Sequence, residues 1–241
     1  MAKKSEVSPA PAGKKNIITP AHLIRLKFSI SGISPLVVHR FSLKAKIIIE
    51  HGMTQTKTPG AGKKVREVVN FEDVFNEARY IARAKPEWDG FNAAALRKAT
   101  ILACKLVNFQ MTLARLSFFT EADGWDKYEP QIPLIKIIGK PVMQKDVAWV
   151  KSGITKKPYI TCRPAYHDWK SNPVINFDAD QFSVNDIINI IDRVGAQVGL
   201  CEGRPSSDSG GLGWGLFEIT NVEQLPTIHK KYNFTVTTFK E

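Results

Sequence analysis

No apolar run in this chain approaches the roughly 20 residues a helix needs to cross a bilayer, so a helical membrane span is excluded. Cysteine is scarce and odd in number. Cys104, Cys162 and Cys201 lie far apart, which excludes a disulfide framework and a paired-cysteine metal knuckle. Neither CxxC nor HExxH spacing occurs, and the five histidines are scattered, so no metal or other cofactor is expected. No GK[ST] follows the glycine-rich stretch near the C-terminus, which excludes a Walker A loop. Acid is also in short supply: 23 Asp and Glu face 34 Lys and Arg, for a net charge of +11. A pI near 9.6 favours a polyanionic partner.

What is present suits a globular protein, with 43% hydrophobic residues to build a core. Residues 1–20 are mostly Lys, Ser, Pro and Ala and read as a disordered basic tail. Met1–Lys15 has no apolar core of the kind a secretory signal carries. Residues 21–241 read as one domain. Scattered, unpaired cysteines suit a reducing, cytoplasmic setting.

In LIRLKFSIS, the apolar Ile24, Leu26, Phe28 and Ile30 alternate with Arg25, Lys27 and Ser29, which predicts a half-buried strand. Gly32-Ile33-Ser34-Pro35 breaks it. A loop insertion at about 41–70 follows, rich in Lys, Thr, Pro and Gly. Phe71–Arg83 and Ala93–Leu113 have helical apolar spacing, the second capped by Asn92. Strands are expected at 132–138, 142–150, 158–163 and 174–177. Ser183 and Asp186 predict a capped helix ending at Gly195. Leu216–Ile219 and Phe234–Phe239 are the last predicted strands. Strands and helices mix without a βαβα repeat, so the fold class is α+β. An antiparallel sheet in a ferredoxin-like, RRM-like core fits this order.

The candidate binding residues fall in three regions. The first runs from His39 and Arg40 through Lys44, Lys46, Lys57, Lys63, Lys64 and Arg66. These cations could neutralise phosphates, or the loop could clasp a neighbouring subunit. The second holds Lys151, Lys156, Lys157 and Arg163, with Trp149, Tyr159, Tyr166 and Trp169 interleaved or just beyond. Basic and aromatic residues together are the composition of a single-strand platform, where phosphates pair and bases stack. The large rings could equally be core. The third is a stretch with seven glycines between 195 and 215. There Gly210, Gly211 and Gly213 could bring backbone amides to a phosphate, Arg204 could donate to it, and Trp214 could stack. A subunit contact or a β-turn is the alternative. No acid–base pair stands beside His39, and no nucleophile beside His167 and Asp168, so no catalytic residue is expected.

The segment Ile30-Ser31-Gly32-Ile33-Ser34-Pro35-Leu36 resembles the first strand and turn of RAMP-superfamily proteins, which include backbone subunits of CRISPR effector complexes. Gly210, Gly211, Gly213 and Gly215 before a strand resemble their glycine-rich loop. Arg163–Trp169, Val174–Asp178, the capped helix and Val198–Pro205 resemble a pattern in uncharacterised virus-encoded proteins. The resemblance implies a ferredoxin-like core, binding along a single strand of DNA or RNA, and head-to-tail self-assembly into oligomers or filaments. It also implies a bacterial or infected-host cytoplasm. No catalytic histidine stands in the glycine-loop region, which argues against the RNA cleavage of the family's nuclease members. The expectation is a sequence-tolerant single-strand-binding protein that is not an enzyme. The alternatives are a structural self-assembly protein without nucleic acid and, third, a nuclease.

Overall fold

The alternation at Leu23–Gly32 starts the fold. A computed structural model describes residues 21–42, 46–47, 50, 69–152, 155–207 and 211–226, and for 148–152 and 155–157 the backbone alone. Strand β1 (Leu23–Gly32) turns Leu26, Phe28 and Ile30 into the core and leaves Arg25, Lys27 and Ser29 on its other face. It is followed by β2 (Leu36–Val37), α1 (Phe71–Ala78), β3 (Tyr80–Ile81), β4 (Asp89–Asn92), α2 (Ala93–Leu106) and α3 (Met111–Ser117). Next come β5 (Phe118–Thr120), β6 (Gly124–Trp125), β7 (Pro133–Lys136), β8 (Val142–Ser152) and β9 (Thr155–Tyr166). The described chain closes with β10 (Lys170–Ser171), β11 (Val174–Asp178), α4 (Val184–Arg193) and β12 (Phe217–Leu225).

β1 is the centre of the main sheet. It pairs antiparallel with β12 on one side and with β10 and β11 on the other. β10 and β11 keep one register against β1, with Leu23 opposite Asp178 and Ile30 opposite Ser171. They are therefore a single strand interrupted at Asn172–Pro173, where proline has no N–H to give to the ladder. β5 pairs beyond β11, so the order is β12, β1, β10/β11, β5. Helices α2 and α4 cover one face, with Leu96, Ala99, Ala103, Ile187, Ile190 and Ile191 in the same buried cluster as Phe28, Ile175 and Phe177. Burying each large aliphatic or aromatic side chain of this kind stabilises the fold by about 1.5–3 kcal/mol. The sheets β3-β4-β7-β6 and β2-β9-β8 flank this core. The architecture is mixed α and β with antiparallel sheets, as the pattern predicted.

Local signals act where expected at two helix starts. The Asn92 side chain accepts from Ala94 N at 2.8 Å. Ser183 and Asp186 form a reciprocal capping box at α4.

Elsewhere the structure departs from the pattern. α1 stops at Ala78 rather than Arg83, because the next residues pair as β3 with β4. α2 ends at Leu106, not Leu113; Asn108 takes a left-handed φ of 55° and the chain turns into α3. Phe109 anchors that turn, its ring 4.5 Å from Phe182. Gly195 does not end α4, which continues as a wide π-type turn to Val198. A Cβ at Gly195 would lie 2.2 Å from the Phe217 carbonyl oxygen, so glycine there lets β12 approach. The predicted strand at 234–239 lies outside the described residues.

Candidate nucleic-acid interface

Three segments distant in sequence meet beyond the end of β1. Val37 and Glu202 form a β-bridge, with Glu202 N donating to Val37 O at 3.0 Å. That contact carries the adjoining Val38 and His39 to the glycine-rich stretch. The first half of α2 closes the third side. The result is a cleft of about 270 Å³, into which His39, Lys98, Glu202 and Arg204 project beside Tyr80 and a wall of Val38, Ala95, Ala99 and Leu102.

The charged side chains of this cleft are two cations and one acid. Lys98 is exposed and makes no ion pair with any described residue. Arg204 Nη1 donates to the Cys201 carbonyl at 2.8 Å, which fixes the guanidinium while leaving its other N–H groups free to point outward. The N-terminal end of α2 adds the positive pole of a 14-residue helix. Glu202 is the one acid of the lining. Much of the His39 surface reaches solvent, but protein crowds one side of the ring. Burial therefore lowers its pKa below the ordinary imidazole value; Arg163 lowers it further and Glu202 opposes them. His39 is thus neutral at pH 7 and offers one donor and one acceptor. Burial pushes the Cys201 thiol up to about 12, and Glu202 adds to that; the thiol stays protonated and is no nucleophile. Burial likewise takes the Tyr80 hydroxyl to about 12, so it remains a hydrogen-bond donor. Among the described residues, no group of three or more His, Cys, Asp or Glu is arranged to hold a metal ion.

The glycine-rich stretch is more internally committed than its composition suggests. Leu200 N donates to Gly215 O at 3.0 Å, Trp214 N to Gly203 O at 3.2 Å, and Gly215 N to Pro35 O at 2.8 Å. Gly203, at φ +62°, lies under the Trp214 indole, and a Cβ there would stand 2.2 Å from the ring. These amides serve a tight fold-back rather than a ligand. Trp214 is half-buried with one ring face covered by that packing. Gly211 and Gly213 differ: they flank the exposed Leu212, and nothing lies within 4 Å of a Cβ built on Gly213.

Several residues expected at the interface lie elsewhere. Arg40 is 2% exposed. Its Nε donates to Arg79 O at 3.1 Å, its guanidinium stands 4.6 Å over the Tyr128 ring, and Glu129 lies 3.7 Å away. It is a core cation, held by a backbone carbonyl, an aromatic ring and one carboxylate from later in the chain. Lys46 is ion-paired to the same Glu129. Trp169 is 1% exposed, its Nε1 donating to Ser34 O at 2.9 Å. Gly32 is its seat: a Cβ there would be 2.1 Å from Trp169 Nε1. Trp169 and the fully buried Tyr166 are therefore no stacking platform. Arg163 is half-buried on β9 and reaches the cleft only through its field on His39. The register sets Lys151 opposite Lys156 and Val150 opposite Lys157 at the β8–β9 turn. Lys44, Lys57, Lys63, Lys64, Arg66 and Gly210 fall outside the described residues.

Of the predicted residues, the structure joins His39 and Arg204 in the cleft and keeps Trp214 beside it. Lys98, Glu202 and Tyr80 complete the lining and were not anticipated. Lys98 was legible only as a polar position on α2 facing away from the Leu96–Ala99–Ala103 stripe. Its proximity to Arg204 depends on contacts about a hundred residues apart.

No protein-family model matches this chain, and no curated protein matches it. Among solved structures, it is similar to a chain from the cryo-EM structure of the type III-B Cmr-beta bound to cognate target RNA. The TM-score is 0.45 and the identity 8%, with 84% of this chain and 61% of that chain covered. This chain thus spans less than two thirds of that neighbour's length.

Proposed function

We propose that this chain binds single-stranded nucleic acid without strong sequence preference, holding the sugar–phosphate backbone in the His39–Lys98–Arg204 cleft. The observation that carries the reading is convergence. Three donors from three separate segments face one opening, with Glu202 alone opposing them. Two cations and a helix N-terminus suit a phosphodiester, and an arginine can hold one through two N–H groups. The excess of 34 basic over 23 acidic residues supplies long-range attraction to a polyanion.

The finer fold reading is a ferredoxin-like core of the RAMP kind. It is supported by the strand order β12, β1, β10/β11, β5 with α2 and α4 on one face, the order of a split βαβ pair. Head-to-tail assembly along the strand belongs to the same proposal, as does a binding rather than cleaving role.

The test is fluorescence anisotropy of a labelled 20-nucleotide RNA, its DNA equivalent and a duplex control across a salt series. The expected result is single-strand binding that weakens steeply with salt. No binding of any strand at low salt would sink the reading. Cleavage of the RNA that disappears in His39→Ala would move the chain to the enzymes.

A further inference from the structure

The opposite face of the main sheet carries a second concavity, of about 440 Å³, that the cleft does not use. Its walls come from Trp88, Lys27 on β1, Lys136 on β7, the Asp123 carboxylate, Asn172 in the β10–β11 break, and the apolar Val174 and Leu225. Trp88 is the unusual member. A Cβ on Gly90 would lie 3.0 Å from its ring, and one on Gly124 would lie 2.8 Å from it. Two strands of the small sheet therefore lack side chains at the positions where the indole rests. The half-buried ring rests against bare backbone and lines the groove. Lys136 Nζ stands 6.0 Å from the ring centre, at the outer limit of a cation–π contact.

The polar groups here are placed for use rather than structure. Lys27 and Lys136 make no ion pair with a described carboxylate, although Glu223 lies across the strand from Lys27. Asp123 accepts from Lys136 N at 2.8 Å, and its charge reaches Lys136 and Lys27 through space. On the same face Arg25 is engaged by Glu121 in a two-pronged pair at 2.7 and 2.8 Å. Two cations without an ion pair thus flank the half-buried ring, with Asp123 as the one acid of the lining.

We propose that the Trp88 groove seats one unpaired nucleobase of a bound single strand, stacked on the indole, with Lys27 and Lys136 meeting the adjoining phosphates and the Asn172 amide at the base edge. This rests on the reading of the chain as a single-strand binder, and it adds base contact to the backbone contact of the cleft. A rigid, backed ring loses little freedom on stacking, and stacking accepts any base, which suits sequence-tolerant binding.

The experiment compares a 12-nucleotide oligoadenylate with an abasic strand of the same length and phosphate count, by anisotropy, on the full chain. Wild type is expected to bind the base-bearing strand about tenfold tighter, the scale of one stacked base. Trp88→Leu should erase that difference while leaving the abasic strand's affinity unchanged. Lys136→Gln, an exposed site that spares the fold, should weaken both strands a few-fold. Photocrosslinking of a 4-thiouridine 12-mer to the wild type should label the peptide containing Trp88, which keeps the test decisive if Trp88→Leu does not fold. Equal affinity of wild type for both strands, or crosslinks only at other peptides, would overturn the Trp88 seat while leaving the cleft standing. Failure of wild type to bind either strand would overturn both.

Discussion

Arg40 and Arg204 are the same residue type with opposite surroundings, and the contrast separates structural from functional charge in this protein. Arg40 is enclosed, with Glu129, itself 7% exposed, 3.7 Å from its guanidinium. Arg40 Nη1 and Glu129 Oε1 both lack a hydrogen bond there. Such a cluster gains Coulomb energy but loses hydration of every member, so its net contribution is small while the loss of one partner is costly. Arg204 pins one N–H to a carbonyl and leaves its charge facing an open cleft with Lys98 and His39. It pairs with no described carboxylate, although Glu202 lines the same cleft, so its charge is available to an anion. His39 and Arg40 are adjacent in the chain yet fall on the two sides of this divide. Charge density along the sequence therefore overstates the interface, and the position of the carboxylates decides which cations belong to it.

The sharpest way to break the contrast is Arg40→Ala. It takes one of two cations from the buried Glu129 and leaves Lys46 as the other, and the expected loss of stability is about 3 kcal/mol by urea denaturation, the low end for a broken buried pair. An Arg40→Ala protein of unchanged stability that no longer binds single strands would place Arg40 in the interface instead. Next is Gly203→Ala, which adds a side chain at a positive φ and against the Trp214 ring. A loss of about 1–3 kcal/mol is expected in the same measurement, with weaker binding following from the displaced Arg204.

Arg204→Ala sharpens the comparison from the other side. Its melting temperature should stay within about a degree or two of wild type, since no buried partner is stranded. Affinity for a single strand should fall roughly tenfold or more, the scale of a charge-assisted hydrogen bond. The slope of log affinity against log salt should shallow by about 0.7 for one lost phosphate contact on a single strand.

The smallest expected effect is that of pH at His39. Its folded pKa lies below its unfolded value, so the neutral form is favoured in the folded state. The associated stability is fully present above the unfolded pKa, near 6.5, and is lost as pH falls through the lower folded value. A phosphate in the cleft would draw the pKa back up, so binding takes up a proton and affinity should rise as pH falls from about 7 toward 5.5. His39→Gln should flatten that rise in an anisotropy series. An unchanged pH profile would remove His39 from the contact.

Much of the fold was legible because its signals are local. The period-two pattern of Ile24–Ile30 specified β1 and its buried face, Asn92 and Ser183 marked the starts of α2 and α4, and the strands expected at 142–150 and 158–163 lie within β8 and β9. The misread positions are those where a distant group overrode the local one. Gly195 looked like a helix end but is small because Phe217 passes over it. Trp169 was open between stacking ring and core along the sequence, and its seat on Gly32 makes it core. Trp88 drew no attention, because nothing in its neighbourhood along the chain announces the bare backbone of Gly124 beneath it.

The amino-acid sequence by itself determined the charge excess, the strand and helix periods and the caps, since each depends on residues within a turn or a strand of one another. Only the tertiary structure decided which cations keep their charge facing solvent and which are neutralised inside. Coulomb attraction and desolvation act through space, and the Glu129 carboxylate beside Arg40 and the lysine that joins Arg204 are brought there from distant parts of the chain.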